Sequence, residues 1–374
     1  MNRAIWFLIS LVMLLSPALS TASPLTVVDM AGRKVTLNVP VSRVILGDSR
    51  MLLAMNIIHP DAPLSDIVAW DDSLIRRAPD MARHYQQRYP QLSKITVFDN
   101  PYRSGFSVER ALLLRPDLII FDTGLLPRLR DSGTLSLLEK SGIAVIFIDF
   151  RHQPLTNTLA SIRLLGQVFA QPQNAQRFIT RYQQLLERVQ RRIAQIPQTQ
   201  WPGVIFENHA GMTGDMCCAV FGRNSFGQFI TAAGGRNLVE NKVPEQGADI
   251  NVEQLITDNP DYYLLSGADW SQRGSKSLAV PLGYEASRET ALPKLQHLMT
   301  RTGFSVLKAV RDKKVMAIYH QFYDSPFNVI ALEAMAKFFH PQHFTDVDPH
   351  NDLVAFYREF TGVDYSGLFF LTLQ

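Results

Sequence analysis

Two segments of this chain, SVERALLLRPDLII at residues 107–120 and NVEQLITDNPDYYLL at residues 251–265, repeat one pattern. Their glutamates, Glu109 and Glu253, are 144 residues apart, and the Pro-Asp pair that follows each glutamate keeps the same spacing. In both segments a polar N-cap residue begins a short helix, a proline ends it and an apolar strand follows. The pattern predicts two related β/α units, each with a carboxylate in a first helical turn, where the helix dipole stabilises it.

The apolar side chains of these two helices are expected to face the interior, namely those of Leu112, Leu113, Leu255 and Ile256. Taken alone, the repeat has a purely structural explanation, because any two β/α units can carry an acidic residue in a first helical turn. A functional interpretation depends on the organisation of the rest of the chain.

Apolar runs alternate with amphipathic segments of helix length on both sides of the repeat. They are RVILG, SDIVAW, KITVFD, PDLIIFD and GIAVIFID in the first half, and GVIFEN, DYYLLSG and KVMAIYH in the second. Continuous runs of this kind are typical of parallel sheets that are covered on both faces. Between the two groups lie only helical patterns, so we predict two Rossmann-like α/β lobes joined by a single long helix, with a ligand cleft between the lobes.

The predicted boundaries are a signal peptide at residues 1–22, an amino-terminal lobe at 23–152, a bridging helix at 153–172 and a carboxyl-terminal lobe at 173–374. The first segment has a basic start, an apolar stretch and a small-residue exit, Ser20-Thr21-Ala22, as secretory signals do. A membrane anchor is the alternative, but the apolar stretch is shorter than the roughly 20 residues that span a bilayer. Export to a periplasm is therefore expected.

Composition excludes several classes of function. The formal net charge of +3 comes without a dense basic run, which argues against a nucleic-acid partner. Motifs of nucleotide-binding enzymes and of serine hydrolases are missing from the sequence, so we do not expect an enzyme. The only cysteines, Cys217 and Cys218, are adjacent, and we expect them to pack as two small apolar residues rather than to form a disulfide.

Three further stretches, together with the repeated segments, carry a family resemblance. They are LTVVDMAGRKVTLNVPVSRVI at 25–45, FGRNSFGQFITAAGGRNL at 221–238 and HPQHFTDVDPHNDLVAFYREFTGVDYSG at 340–367. Their order and spacing resemble the periplasmic substrate-binding proteins of ABC importers for iron–siderophore, haem and cobalamin. The resemblance implies two lobes joined by one rigid helix, a ligand in the cleft, no cofactor and a monomeric carrier. The closing stretch is similar to that of the iron-complex members, which implies a ferric siderophore as ligand.

The resemblance also implies a role for the repeated glutamates. In this family a glutamate on each lobe docks to arginines of the membrane permease, whose partner ATPase drives transport, and the matching positions here are Glu109 and Glu253. A carboxylate suits the bidentate fork of an arginine side chain.

Candidate ligand-binding residues follow the predicted strands, because ligands of such sheets bind beyond the carboxyl ends of the strands. They are Arg50, Trp70, Tyr102, Arg103, His209, Trp270, Tyr319, His320 and Tyr323. Arginines and aromatic rings suit the bulky, aromatic and anionic character of ferric siderophores.

Two alternatives stay open. A haem- or cobalamin-binding protein of the same family would find an axial ligand for haem in Tyr319, His320 or Tyr323. A protein that binds a metal ion directly would use the ligand-type residues near the carboxyl terminus, which are His340, His343, Asp346, Asp348, His350 and Asp352.

Overall fold

The apolar runs of the sequence become the strands of two separate sheets, one in each half of the chain. The structure, a computed structural model, describes residues 23–271 and 277–373, so the predicted signal peptide lies outside the described residues. Within these ranges, no helix has the length and apolar character needed to cross a bilayer. The predicted α/β class with two lobes is confirmed.

The amino-terminal lobe contains an antiparallel hairpin and a five-stranded parallel sheet of order β5-β4-β3-β6-β7. Its strands are β1 (Ser23–Val28), β2 (Lys34–Val39), β3 (Val44–Leu46), β4 (Ile67–Asp71), β5 (Thr96–Phe98), β6 (Leu118–Asp122) and β7 (Ala144–Ile148). Its helices are α1 (Leu52–Ile58), α2 (Ser73–Arg77), α3 (Pro79–Arg88), α4 (Pro101–Ser104), α5 (Val108–Leu113), α6 (Leu126–Asp131) and α7 (Thr134–Lys140). The strands β3 and β6 are wholly buried because helices cover both faces of the sheet.

Two helices lead from the first sheet to the second without a strand between them. The first, α8 (Pro154–Val168), lies within the predicted bridging segment, and α9 (Pro172–Ile193) follows it directly. Asn328 donates to the Thr158 hydroxyl of α8 at 2.9 Å and accepts from the Tyr182 hydroxyl of α9 at 2.8 Å. The two helices therefore fold back on each other as an antiparallel pair. The boundaries placed at residues 152 and 172 stay a prediction.

The carboxyl-terminal lobe has a mixed sheet of order β11-β9-β8-β12-β13-β14, in which β10 also pairs with β8. Its strands are β8 (Gly203–Glu207), β9 (Ala219–Val220), β10 (Arg236–Asn237), β11 (Ala248–Asp249), β12 (Tyr262–Gly267), β13 (Val315–Tyr319) and β14 (Phe370–Thr372). Its helices are α10 (Phe226–Ala232), α11 (Val252–Asp258), α12 (Arg288–Leu298), α13 (Lys308–Arg311), α14 (Asn328–Phe339) and α15 (Pro349–Phe360). The predicted runs form the parallel centre, β8, β12 and β13.

The repeated Pro-Asp pair has a structural explanation in both lobes. Asp117 accepts the backbone N–H groups of Ser42 and Arg43, each at 3.0 Å, just before β3 begins. Asp261 accepts the backbone N–H of Gly203 at 2.7 Å, where β8 begins. Because β6 pairs with β3 and β12 pairs with β8, each aspartate fixes the start of the neighbouring parallel strand.

The helices of the repeat bury different positions from those expected. Ala111 and Leu255 are fully buried, whereas Leu112 is 39% exposed, Ile256 is 38% exposed and Leu113 is 83% exposed. The expectation that all four leucine and isoleucine side chains face inward is therefore wrong for three of them. A helix of six or seven residues makes fewer than two turns, so only a narrow stripe of it reaches the sheet.

The main apolar core is continuous from one lobe to the other. It contains residues of α1, α8 and α9 together with α14 and α15, and it includes the rings of Phe178 and Phe327, which are stacked with centroids 6.0 Å apart. A smaller cluster around Phe121 and Phe147 covers the other face of the amino-terminal sheet. A shared core opposes large movements of one lobe against the other, because opening would expose apolar surface to water.

The adjacent cysteines differ from the expectation. Cys217 and Cys218 are joined by a disulfide, so the expectation of two unlinked apolar side chains is wrong. The peptide bond between them is cis, and their Cα atoms are 3.1 Å apart. Cys218 is buried, and its backbone exchanges two hydrogen bonds with that of Ile250, at 2.9 and 3.2 Å.

Candidate functional site

A cavity of about 270 Å³ lies between the two lobes. The loops that line it follow β5, β6 and β7 on one side and β8, β9 and β13 on the other, together with the segment before β11. The lining residues are Tyr102, Gly124, Arg151, His152, Asn208, His209, Phe221, Asn224, Ser225, Gln246, His320 and Tyr323. The cavity therefore lies beyond the carboxyl ends of the parallel strands of both sheets, where ligands of α/β proteins bind.

A larger groove, of about 770 Å³, lies within the amino-terminal lobe between the hairpin and β7. Its walls come from residues 33–42, 116–117 and 139–145, and they include no aromatic side chain. The groove lies away from the carboxyl ends of the strands, and four of its polar side chains are already paired, Arg33 with Glu139 and Ser42 with Asp117. The cavity between the lobes is therefore the better candidate for the ligand site.

Arg151 is the principal cation of the cavity. Its guanidinium lies 5.7 Å from the ring centroid of Tyr102 and 5.0 Å from that of Tyr323, so it contacts aromatic rings of both lobes. Electrostatic interactions with Tyr323, Asp324 and Asp122 raise the pKa of Arg151, which stays charged. Within residues 23–271 and 277–373, no carboxylate forms an ion pair with this guanidinium. A half-buried cation of this kind attracts an anionic group from a ligand.

Tyr102 is positioned by a second group of polar residues. Its hydroxyl donates to Asp122 Oδ1 at 2.5 Å, and His152 Nε2 lies 3.4 Å from the same oxygen. This contact with Asp122 raises the pKa of His152. Burial acts to raise the pKa of Asp122, but the contact with His152 and the charge of Arg151 outweigh it and hold the pKa below its usual value.

Four rings form the wall contributed by the carboxyl-terminal lobe. The ring of His209 has its centroid 4.4 Å from that of His320 and 5.3 Å from that of Trp270. His320 in turn lies 4.6 Å from Tyr323. Burial lowers the pKa of His320 well below its usual value, so its imidazole is neutral, and its Nδ1 has no hydrogen-bond partner in the described structure.

Arg50 connects the lobes beside the cavity rather than lining it. It pairs with Asp48 in its own lobe and reaches across to Asp324 at 2.6 Å, to Gln321 at 2.8 Å and to the Tyr323 hydroxyl at 3.0 Å. Burial raises the pKa of Asp324 to about 7, although the charge of Arg50 opposes the shift. The side chain of Arg50 is only 5% exposed, so it acts as a buried link between the lobes.

The structure therefore separates the predicted ligand-binding residues into groups. Tyr102, His209, His320 and Tyr323 line the cavity, and Trp270 packs behind two of them. The others lie elsewhere. Trp70 is 1% exposed in the apolar core, Tyr319 is 3% exposed among other aromatic rings, and Arg103 is 47% exposed and pairs with Asp72 at 2.7 Å. The ligand-binding role of each residue stays a prediction.

The sequence interpretation missed Arg151 and His152. Both follow the run GIAVIFID, which forms β7, so the rule that selected residues at strand ends applies to them as well. They lie at the end of the predicted amino-terminal lobe, directly before the predicted bridging helix at 153–172. Asn224 and Ser225, which also line the cavity, lie in FGRNSFG, a stretch that was used only for the family resemblance.

The histidines and aspartates near the carboxyl terminus have other partners. His340 Nε2 lies 2.9 Å from the Gly234 carbonyl oxygen, and Asp348 caps α15 through the backbone N–H groups of residues 350 and 351. Asp346 pairs with Arg192, and Asp352 pairs with Arg181 and Arg188. Their side chains form no common ligand set among the described residues, so a metal site in this segment is not supported.

Two other groups of candidate ligand atoms do converge to within 4.8 Å in the described structure. One joins Glu207 to Cys217 and Cys218, but the cysteines form a disulfide and Glu207 is bound by Arg301 at 2.6 and 2.7 Å. The other joins Asp122, Asp149 and His152. Asp149 already accepts three backbone N–H groups and the side-chain amide of Asn157. Neither group is a free set of metal ligands.

Glu109 and Glu253 lie at the surface, in the first turns of α5 and α11. Ser107 caps α5 by accepting the N–H of residue 110 at 3.4 Å, and Asn251 caps α11 by accepting the N–H of Gln254 at 2.8 Å. Neither carboxylate has an ion-pair partner within the described ranges. Both glutamates are therefore available to a cationic partner.

Comparison with known proteins identifies the family. The sequence model of the family described as periplasmic binding protein matches residues 65–321, more than half of the chain, and the chain belongs to this family. Its members are solute carriers rather than enzymes and work with an ABC permease and its ATPase. The protein is thus a binding protein of the ABC importer type. No curated protein sequence matches the chain.

Solved structures share the fold. The TroA-like periplasmic binding protein FepB from Veillonella parvula is 29% identical, with a TM-score of 0.86 over 94% of this chain and 100% of its own. CeuE from Helicobacter pylori, in a Ni–His complex, is 18% identical, with a TM-score of 0.64 over 90% and 96%. A periplasmic heme binding protein from Pseudomonas aeruginosa is 21% identical, with a TM-score of 0.55 over 80% and 93%. The similarity to CeuE and to the heme binding protein shows a shared fold only.

Proposed function

We propose that this protein captures a ferric siderophore complex in the periplasm and delivers it to an inner-membrane ABC permease. The observation that carries the proposal is Arg151, a half-buried cation without a carboxylate ion-pair partner among the described residues, held between Tyr102 and Tyr323 in the cavity. Ferric siderophores are often anionic and aromatic, so an arginine between two aromatic rings offers both a charge contact and stacking surfaces.

The dimensions of the cavity suit partial insertion of such a ligand. A volume of about 270 Å³ is at the low end for sites that enclose a whole small molecule. The charged, metal-chelating part of the complex would occupy this space, and the rest would stay in the open mouth of the cleft. His209 and His320 would then lie beside the chelated iron, together with Trp270 behind them.

The screen that tests the ligand class measures quenching of intrinsic tryptophan fluorescence. The mature protein is titrated with ferric catecholate, hydroxamate and carboxylate siderophores, and with haemin and cobalamin. We expect at least one ferric siderophore to bind with a Kd in the micromolar range or below. A Trp270→Phe variant shows whether the tryptophan beside the cavity reports the binding. Absence of binding by all ferric siderophores below the millimolar range would contradict the proposal.

Haem is the second candidate, and one observation favours it. The neutral imidazole of His320 has an unpartnered nitrogen, and the ring lies at the cavity, as an axial ligand of haem iron would. Absorption spectroscopy during the haemin titration separates the two ligands. A Soret band that shifts stoichiometrically, and that is lost in a His320→Ala variant, would favour haem over a siderophore.

The delivery step is assigned to Glu109 and Glu253. Reversal of both charges, Glu109→Arg with Glu253→Arg, is expected to abolish uptake and leave ligand binding unchanged, because arginines of the permease would then meet arginines. Glu289 provides a matched control, since it is also an exposed acidic residue in the first turn of a helix capped by serine. Loss of ligand binding in the double variant would mean that the two glutamates have a structural role instead.

A further inference from the structure

The exposed surfaces around the two glutamates are alike in a second property besides charge. Leu112 follows Glu109 by three residues and is 39% exposed, and Ile256 follows Glu253 by three residues and is 38% exposed. Residues three apart lie on the same face of a helix. Each lobe therefore presents a carboxylate and an apolar side chain side by side.

A second apolar side chain extends each surface. In the amino-terminal lobe, Leu113 follows Glu109 by four residues and is 83% exposed. In the carboxyl-terminal lobe the loop at residues 303–306 packs on α11, because a Cβ at Gly303 would lie 3.0 Å from Ile256 and 2.7 Å from Val252. Val306, which ends this loop, is 52% exposed. The second apolar side chain thus comes from the helix in one lobe and from a neighbouring loop in the other.

Exposed apolar side chains of this size are concentrated at these surfaces. Within the described residues, nine large apolar side chains are strongly exposed, and four of them lie on α5, on α11 or on the loop that packs on α11. They are Leu112, Leu113, Ile256 and Val306. Solvent contact of such groups is unfavourable, and clusters of them mark surfaces that another molecule covers.

We infer that the permease-docking surface of each lobe is a composite of one glutamate and two apolar side chains: Glu109 with Leu112 and Leu113, and Glu253 with Ile256 and Val306. The inference rests on the proposed delivery to a permease. The partner is a two-fold transmembrane dimer of the ABC importer, in which each half presents an arginine or lysine next to apolar residues. Charge contacts would orient the complex, and apolar burial would slow its dissociation.

The composition of the surfaces disfavours two other occupants. A second copy of this chain, bound through the same surfaces, would bring carboxylates of equal charge together, which is unfavourable. A membrane surface rich in anionic lipid would also repel Glu109 and Glu253. A cationic protein partner satisfies both the carboxylates and the apolar side chains.

The test measures binding of the full mature chain, without ligand, to its ABC importer in nanodiscs at low and high salt. Leu113→Asn and Val306→Asn are each expected to weaken binding about fivefold to tenfold at both salt concentrations, because the apolar contribution is not screened. Glu109→Arg and Glu253→Arg should weaken it strongly at low salt and less at high salt. Ile75→Asn serves as the control, since Ile75 is 49% exposed on another helix.

The outcomes separate the inference from the proposed function. Wild-type affinity of Leu113→Asn and Val306→Asn, with loss of binding in the glutamate variants, would overturn the composite surface and leave delivery to the permease intact. Wild-type affinity in all four variants would overturn the docking assignment as well. Tryptophan quenching by the ferric siderophore found in the screen, and circular dichroism, verify that each variant is folded.

Discussion

Arg151 and Tyr323 belong to opposite lobes, and the guanidinium of the first lies 5.0 Å from the ring centroid of the second. Arg151 follows the last strand of the amino-terminal sheet, and Tyr323 follows β13 of the other sheet. Within the described residues no carboxylate lies within ion-pair distance of this cation, so an anionic group of a ligand can approach it directly. A ligand bound there would contact both lobes at once.

The first prediction concerns this cation. Arg151→Gln is expected to weaken binding of an anionic ferric siderophore by about 10-fold to 100-fold, because a hydrogen bond to a charged group contributes roughly 1.5–3 kcal/mol. Arg103→Gln is the matched control, since Arg103 is an arginine at a strand end but is 47% exposed and paired with Asp72. Tryptophan quenching measures both affinities. Equal losses in the two variants, or a loss only in Arg103→Gln, would remove Arg151 from the ligand site.

The sequence predicted some elements of the fold and missed others. Apolar runs identified the parallel strands of both sheets, because a strand covered on both faces must be apolar along its whole length. The two-residue strands β9, β10 and β11 escaped prediction, since two residues carry no periodicity. The helical patterns between the two sheets include α9, but Asn328, which hydrogen-bonds to both α8 and α9, lies far away in sequence.

Side-chain direction limited the site prediction in the same way. Candidate residues were selected because they follow strands. Four of them, Tyr102, His209, His320 and Tyr323, line the cavity, whereas the side chain of Trp70 is buried in the core. Neighbouring residues at a strand end point to opposite faces, so position in sequence determines the edge of the sheet but not the direction of the side chain. Arg50 was placed correctly at that edge, but its partners in the other lobe lie about 270 residues later, which no local pattern reveals.

The second prediction concerns the link between the lobes. Arg50→Met would leave Asp48 and Asp324 buried without their cation, and we expect a loss of about 3–5 kcal/mol in the free energy of unfolding. Arg103→Met breaks a more exposed ion pair and should cost far less. Urea unfolding followed by circular dichroism measures both. Similar small losses in the two variants would mean that the Arg50 contacts add little to the stability of the pair of lobes.

The third prediction concerns pH. Burial raises the pKa of Glu333 to about 8, although Arg188 opposes the shift, and the side chain of Glu333 is fully buried. The folded protein therefore holds a proton on this group from about pH 4.5 to about pH 8, where the unfolded chain has lost it, so this contribution to stability falls as pH rises through that window. Glu333→Gln keeps the neutral hydrogen-bonding group without the titration.

Urea unfolding at pH 5 and at pH 8 tests this assignment. Between these values the wild type should lose on the order of 2–4 kcal/mol more of its unfolding free energy than Glu333→Gln does. Other buried acids with raised pKa values, such as Asp71, Asp80 and Asp324, are present in both proteins and cancel in the comparison. Parallel pH profiles of the two proteins would show that Glu333 is ionised throughout and compensated by Arg188.

The last prediction returns to the repeat that organises the chain. Asp117 and Asp261 each accept backbone N–H groups at the start of a neighbouring parallel strand, so Asp117→Ala and Asp261→Ala leave those donors without their partner. We expect each variant to lose about 0.5–1.5 kcal/mol of unfolding free energy, the usual net contribution of a hydrogen bond. Glu253→Ala, eight residues before Asp261, should lose less because the Glu253 carboxylate has no ion-pair partner within the described ranges. Since the two aspartates are in different lobes and share no partner, the losses should add in the double variant. Large losses in Glu253→Ala with none in the aspartate variants would reverse this assignment and make the repeated glutamate the structural residue of the pattern.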